Sequence, residues 1–131
     1  MIDVLHIPFE YFPDPCGGTE IYVAALCREL RSHGLVSAVA APAPEDSTYL
    51  VADTPVYRYQ IPDGLVGRVN PPAISRLAKS FAAMLDTVRP RLVHLHALSP
   101  GIGSACINVI VERNLPFLLT YHTPTLSCAR G

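Results

Sequence analysis

Short apolar runs alternate along this chain with longer segments in which apolar residues recur at helical spacing, and this alternation constrains the fold most. The pattern predicts strands at residues 4–7, 35–41, 56–61, 92–95 and 117–121, and helices at about 19–33, 72–88 and 100–113. Strands that alternate with helices pair in parallel through right-handed crossovers. The sequence therefore predicts an α/β fold with a doubly wound, mostly parallel, Rossmann-like sheet.

The middle of the chain is expected to lie near the edge of this sheet. In the strand predicted at residues 56–61, apolar residues alternate with Arg58 and Gln60, whose side chains we expect to reach water. The polar stretch at residues 45–48 is predicted to be a loop.

Length and composition favour one globular domain spanning residues 1–131. A chain of 131 residues can bury a core of its own, but two complete domains would not fit. Only 16% of the residues are charged and 50% are hydrophobic, which excludes global disorder. Ten basic residues against eleven acidic ones leave no basic surface for a polyanion, so we expect no nucleic-acid partner.

No segment meets the requirements of a membrane span or a secretory signal. The stretch 92–111 lacks charged residues and is long enough to span, but it contains histidine, proline and glycine residues that lipid would not accommodate. The chain begins Met1-Ile2-Asp3, without the basic start of a signal peptide. We therefore expect a cytoplasmic protein.

The candidate site follows from the predicted topology. Ligands of doubly wound sheets bind at the carboxyl ends of the strands. The loops at this edge would be residues 9–20, 96–103 and 122–131.

Two glycine pairs open helices in these loops. Gly17 and Gly18 precede a helix whose cap is expected at Thr19, an arrangement that suits a phosphate group, although the pair could equally make a simple tight turn. Gly101 and Gly103 match a dinucleotide fingerprint only in part. Cys106 stands at its third small position, and no acidic residue follows the next strand, so a nicotinamide site is disfavoured.

The histidines suggest hydrogen bonding to a polar ligand. His94 and His96 are two residues apart on a strand and share one side of the sheet, while His122 follows the neighbouring strand. A zinc hydrolase that uses these histidines, with Cys128 as a fourth ligand, is an alternative. However, no carboxylate lies nearby to orient the rings. We expect His96 and His122 to hydrogen-bond a polar ligand, His94 to have a structural role, and no metal to bind.

The cysteine pattern gives no sign of a disulfide framework or a zinc knuckle. None of the four cysteines forms a CxxC pair. They are Cys16, Cys27, Cys106 and Cys128. Buried or incidental thiols are therefore expected.

The last third of the chain needs a cover. Residues 92–129 carry only Glu112 and Arg113 as formal charges, so the helix predicted at residues 100–113 has almost no polar face. Further chain, another domain or a partner would have to bury it. This pattern favours a fragment of a larger protein.

Several motifs, in this order, resemble the N-terminal half of family 4 glycosyltransferases with the GT-B fold. The motifs are Leu5-His6-Ile7, Tyr11-Phe12-Pro13-Asp14-Pro15-Cys16-Gly17-Gly18-Thr19-Glu20, Val93-His94-Leu95-His96 and Thr120-Tyr121-His122-Thr123-Pro124-Thr125. The resemblance implies two Rossmann-like domains that face a cleft. The C-terminal one would hold the nucleotide-sugar, and this chain would be the acceptor-side domain.

The resemblance also implies roles for individual residues. Gly17 and Gly18 would approach the donor diphosphate, Glu20 would shape the turn, and His122 would be the catalytic residue that points at the transferred sugar. The residues implied in donor or acceptor binding are Gly17, Gly18, Thr19, Glu20, His96, Ser99 and Thr123. The implied reaction is sugar transfer with retention of configuration to a glycan, lipid or small-molecule acceptor. It would need no metal and no cofactor.

The chain departs from the family pattern in one respect. The acidic donor motif, a Glu followed eight residues later by another Glu, is absent and would belong to a missing C-terminal domain, so we expect the fragment alone to be inactive. Similar enzymes commonly act in bacterial cell-surface polysaccharide synthesis, some with peripheral membrane contact. A non-catalytic binding or assembly module with the same fold is the alternative.

Overall fold

A computed structural model of the chain describes residues 1–15, 17–65 and 70–122. Strands and helices alternate as the sequence pattern predicts, except that three strands follow one another between the first two helices. They are β1 (Val4–Ile7), α1 (Gly18–Ser32), β2 (Ser37–Ala43), β3 (Ser47–Val51), β4 (Thr54–Gln60), α2 (Pro71–Val88), β5 (Leu92–Leu95), α3 (Ser104–Glu112) and β6 (Phe117–Leu119).

The strands form one sheet in the order β3-β4-β2-β1-β5-β6. Every neighbouring pair is parallel except β3 and β4, which are antiparallel. The order runs outward in both directions from β1, so the chain reverses its winding there. The predicted α/β class with a mostly parallel, Rossmann-like sheet is therefore confirmed.

Local sequence signals explain where the helices begin and end. Gly34 has a φ of 78° just beyond α1, a conformation that glycine adopts without strain, so this helix ends where expected. At the start of α2, the Asn70 side chain accepts a hydrogen bond from the backbone N–H of Ala73 at 3.2 Å, and Pro71 occupies the first turn.

The stretch predicted to be a loop at residues 45–48 instead leads into β3, which forms a hairpin with β4. Ala52 and Asp53 make the turn with φ values of 45° and 64°, which suits a two-residue hairpin connection. The sequence pattern did not predict this strand because most of β3 is exposed. An edge strand buries few side chains, so its sequence needs few apolar residues. The edge of the sheet is therefore β3, and β4 lies one position further in.

Arg58 on β4 does not reach water, contrary to expectation, since only 6% of the residue is exposed. Its guanidinium donates hydrogen bonds to the backbone carbonyl of Tyr11 at 2.6 Å and to the Tyr49 hydroxyl at 2.8 Å. It also forms an ion pair with Asp14 at 2.8 Å. These partners replace the water that a buried cation loses, so the arginine ties the loop after β1 to the sheet.

Helices cover both faces of the sheet. Buried side chains of α2 and α3 pack against one face with alternate residues of the central strands, such as Leu5 and Leu95. α1 packs on the other face, where Val23 and Cys27 meet Val39 and residues nearby. Among the described residues, no helix is both long and apolar enough to cross a membrane.

The third helix is partly buried by the described chain itself, whereas we expected further chain, another domain or a partner to bury it. α3 is shorter than predicted, beginning at Ser104, and it packs against α2 in the apolar core, where Cys106 and Ile110 are buried. Val111 of α3 remains 56% exposed, and so in part does β6, whose residues Phe117, Leu118 and Leu119 are 39%, 53% and 41% exposed.

Candidate functional site

The loops that follow β1, β5 and β6 meet at one edge of the sheet. Tyr22, in the first part of α1, lies with its ring centroid 5.2 Å from that of His122 and 6.0 Å from that of His96. The helix that follows the Gly17-Gly18 turn therefore passes beside the imidazole that follows β6, at its second turn. The geometry brings these predicted site residues together.

The glycine turn forms an open helix start. The Glu20 carboxylate is buried and accepts a hydrogen bond from the backbone N–H of Gly17 at 2.7 Å. Gly17 has a φ of −105°, which any residue can adopt, and a Cβ atom on Gly18 would meet nothing within 4 Å. The fold itself therefore does not require glycine at residue 18. What glycine supplies there is an uncovered backbone at the positive end of the helix dipole.

The second glycine pair has a packing explanation. A Cβ atom on Gly101 would lie 3.0 Å from Cβ of Pro42 and 3.1 Å from a methyl group of Ile61. The carbonyl of Gly101 also accepts a hydrogen bond from the buried Tyr59 hydroxyl at 2.8 Å. The core therefore excludes a side chain at Gly101 without any ligand.

Three imidazoles form a continuous row, which we call the histidine chain. Nδ1 of His6 lies 3.1 Å from Nε2 of His96, and Nδ1 of His96 lies 3.1 Å from Nε2 of His122. His6 is 0% exposed and His96 is 2% exposed, whereas His122 is partly exposed. The chain thus runs from the interior of the protein to the rim of the sheet.

His94 lies beside this chain. Its Nε2 is 2.6 Å from the Thr120 hydroxyl, and its ring centroid is 3.9 Å from that of His96. This contact fits the structural role expected for His94.

Burial favours the neutral form of His6, His94 and His96. Desolvation, reinforced by the neighbouring His94, lowers the pKa of His6 to about 4. Desolvation, together with the nearby His94, His6 and His122, lowers the pKa of His96 to about 2. The pKa of His94 is lowered mainly by desolvation as well. A neutral imidazole has one N–H donor and one bare nitrogen, and both can make hydrogen bonds.

Sequence reasoning missed His6 as a member of the site. Its signal was a polar residue at position 6 within an otherwise apolar strand, and its partner is distant in sequence because β1 pairs with β5 in a register that sets His6 beside His94. In the described part of the chain, the histidines that could share a metal ion are His6, His94 and His96, with nitrogens within 4.8 Å of one another. The zinc alternative from the sequence used His122, whereas this set contains His6 in its place. Cys128, the fourth ligand of that alternative, lies outside the described residues.

The other predicted site residues differ in their placement. Thr19 lies within α1, whose cap is Gly17 and not Thr19 as expected, so the cap lies two residues earlier. The Ser99 hydroxyl is buried and makes no hydrogen bond to residues that the structure describes. Thr123 lies outside the described residues.

A groove of about 600 Å³ lies beside Asp14, and its walls include Pro42, Tyr49 and Arg58.

Comparison with known proteins gives a family match. The family model described as Glycosyltransferase Family 4 matches residues 16–130. No curated protein matches the chain.

Three solved structures illustrate the similarity of the fold. MurG from Acinetobacter baumannii has 13% identity and a TM-score of 0.61, with 91% of this chain and 35% of that chain covered. A UDP-GlcNAc 2-epimerase from Neisseria meningitidis, bound to UDP-GlcNAc, has 16% identity and a TM-score of 0.55, with 90% and 31% covered. The catalytic domain of starch synthase IV from Arabidopsis thaliana, bound to ADP and acarbose, has 14% identity and a TM-score of 0.52, with 90% and 33% covered. The chain spans about a third of the length of these structures.

Proposed function

The chain belongs to glycosyltransferase family 4, and from this membership we propose that it is the acceptor-side domain of a retaining glycosyltransferase. The enzyme would transfer a sugar from a nucleotide-sugar donor to a glycan, lipid or small-molecule acceptor. A C-terminal donor-binding domain would complete the cleft, and the activity would reside in the cytoplasm, with peripheral membrane contact where the acceptor is lipid-linked. Surface polysaccharide synthesis is the setting that we propose.

One observation carries this proposal: the open start of α1 and the imidazole of His122 lie at the same rim, joined through Tyr22. A diphosphate needs backbone N–H groups and positive charge, which the helix start offers. A sugar next to that diphosphate would lie near His122. The ligands named for two similar structures, UDP-GlcNAc and ADP, support a donor of the nucleotide-sugar class.

The main electrostatic task in such a transfer is to stabilise the diphosphate as it leaves. Backbone donors fixed by the fold do this without reorganisation during the reaction. In this chain the helix start at Gly17-Gly18 would contribute, with Glu20 holding the turn through its bond to the Gly17 N–H. His96 would support His122 from behind, at 3.1 Å.

Binding of a nucleoside diphosphate tests the proposed site. We expect UDP, added to the chain labelled with ¹⁵N, to shift the amide signals of Gly17, Gly18 and His122. Gly18→Val should weaken the binding at least about tenfold, equivalent to about 1.4 kcal/mol, because the new side chain covers the backbone while the fold has room for it. Thr87→Val, on α2 at the opposite face of the sheet, is the matched control. Equal binding by both variants would contradict the proposal.

Activity measurements test the proposal that catalysis needs a donor-binding domain in addition to residues 1–131. We expect residues 1–131 alone to show negligible release of diphosphate from UDP-, ADP- and GDP-sugars, because most of the groups that bind the transition state would be missing. The protein encoded by the complete reading frame should turn over one of these donors. Robust turnover by residues 1–131 alone would refute this assignment.

A binding or assembly module is the second candidate, and the exposed apolar side chains of β6 favour it. A complete reading frame without a donor domain, and a complete protein that lacks transferase activity, would support the module.

A further inference from the structure

One nitrogen of the histidine chain lacks a hydrogen-bond partner. Nε2 of His6 is buried and makes no hydrogen bond to any part of the chain that the structure describes. Its other nitrogen, Nδ1, faces His96 at 3.1 Å. The chain therefore has a closed inner end at His6 and an outer end at His122.

Neutral imidazoles in a row can be ordered in only two ways. Each ring has one N–H, so the protons lie either all on Nδ1 or all on Nε2. With the protons on Nδ1, His6 donates to His96, and His96 donates to His122. With the protons on Nε2, both hydrogen bonds run in the opposite direction, from His122 inward.

The buried end decides between these two orders. With the protons on Nε2, His6 would hold an N–H in the interior without an acceptor, which costs about 1–3 kcal/mol. With the protons on Nδ1, only a bare ring nitrogen faces the interior. Buried donors without partners are rarer in proteins than acceptors that are not fully satisfied.

We propose that His6 sets the direction of the histidine chain, so that His122 accepts at Nε2 and presents its Nδ1–H at the rim of the sheet. His6 is then a positioning residue that acts through His96 and does not touch the ligand. The outer end offers a hydrogen-bond donor, which suits a hydroxyl, phosphate or carbonyl oxygen of a ligand. The relevance to sugar transfer rests on the proposed function, whereas the direction of the chain does not.

Metal binding is the competing use of the same rings, since His6, His94 and His96 also bring nitrogens within 4.8 Å of one another. The nitrogens of His6 and His96 that face each other are already at hydrogen-bond distance, and Nε2 of His94 is occupied by Thr120. The hydrogen-bonded order therefore accounts for the observed contacts without an ion.

Imidazole NMR tests the direction. In the chain labelled with ¹⁵N at histidine, long-range ¹H–¹⁵N correlations at neutral pH report which ring nitrogen carries the proton. We expect His6, His96 and His122 all to be protonated on Nδ1, although free histidine favours Nε2. A proton on Nε2 of His122 or His96 in the wild-type chain would overturn the proposal, and so would one zinc ion per chain in metal analysis of the purified protein.

Two variants of nearly equal shape sharpen the test. His6→Asn keeps a donor near the position of Nδ1, so His122 should remain protonated on Nδ1. His6→Asp offers only an acceptor when ionised, so the proton of His122 should move to Nε2. A folded His6→Asp chain whose aspartate is ionised and whose His122 remains protonated on Nδ1 would overturn the role of His6. If His6→Asp does not fold, the wild-type and His6→Asn spectra decide.

This outcome is independent of the proposed function. The expected proton positions without any shift on addition of UDP would refute nucleotide binding and leave the role of His6 intact. UDP binding at Gly17-Gly18 with the opposite proton positions would refute the role of His6 alone.

Discussion

The two faces of the sheet are built from different chemistry. On the face covered by α2 and α3, the strands contribute apolar residues such as Leu5, Val93 and Leu95. On the face covered by α1, a small apolar cluster that includes Val39 is joined by buried polar side chains. β1 contributes His6, β5 contributes His94, His96 follows β5 directly, and β4 contributes Arg58. Alternate residues of one strand thus serve opposite purposes, because successive side chains point to opposite faces.

This difference separates stability from function. The apolar face buries large side chains without any need for partners, so hydrophobic burial there favours folding directly. The polar face buries groups that must be hydrogen-bonded, which fixes their positions but adds less to stability. A fold that keeps these tasks on separate faces can position polar groups at the rim while the other face supplies the core.

The largest expected effect is on the apolar face. Phe81 is 0% exposed and packs edge-on against Tyr59 with ring centroids 5.2 Å apart. Phe81→Ala should therefore lower the free energy of unfolding by about 3–5 kcal/mol, measured by urea denaturation. Leu50→Ala on the edge strand, where the residue is 68% exposed, is the control and should cost less than about 1 kcal/mol. Similar losses for both variants would mean that the apolar face does not dominate stability.

The second largest expected effect is a loss of stability in acid, caused by the buried histidines of the polar face. The folded pKa of His6, about 4, lies below its ordinary value of 6.5, so the unfolded chain binds more protons between these values. The contribution of neutral His6 to the free energy of unfolding is complete above pH 6.5. It is lost as the pH falls toward about 4, at about 1.4 kcal/mol per pH unit. His94 and His96 on the same face add losses of the same sign.

Denaturation at a series of pH values measures this loss. His6→Asn should lose about 3 kcal/mol less than the wild-type chain over the same range, because one titrating group has been removed. His33→Gln removes an exposed histidine at the end of α1 and is the matched control. An unchanged acid dependence in His6→Asn would show that His6 is not held neutral by the fold.

The smallest effect concerns the start of α1. Glu20→Gln keeps an oxygen that can accept the Gly17 N–H but removes the negative charge at the positive end of the helix. We expect a loss of about 0.3–1 kcal/mol of unfolding free energy, measured by urea denaturation. A loss as large as that of Phe81→Ala would mean that the two faces do not differ in their contribution.

The sequence predicted most of the fold because its main signals are local. β1 and β5 have the predicted bounds, since each is a short apolar run that ends before a proline or a polar loop. The family resemblance and the fold class are confirmed as well. The edge strand β3 was missed because it is mostly exposed, so its sequence carries little apolar periodicity.

The remaining differences depend on contacts between distant residues. Arg58 looked like a surface residue, but the carbonyl that receives its shortest hydrogen bond belongs to Tyr11, which no local pattern connects to it. His6 was missed because its partner His96 is distant in sequence, directly after β5. The roles predicted for the site residues toward ligands stay predictions.

The bonds of Arg58 have a consequence for any ligand that reaches the glycine turn. Its guanidinium holds the backbone just before that turn, through the carbonyl of Tyr11 and the carboxylate of Asp14. The loop is thus anchored from within the protein before a ligand arrives, and the entropy of ordering it is lost during folding and not during association. Loosening this anchor should weaken binding at the turn without removing a single atom that a ligand would touch.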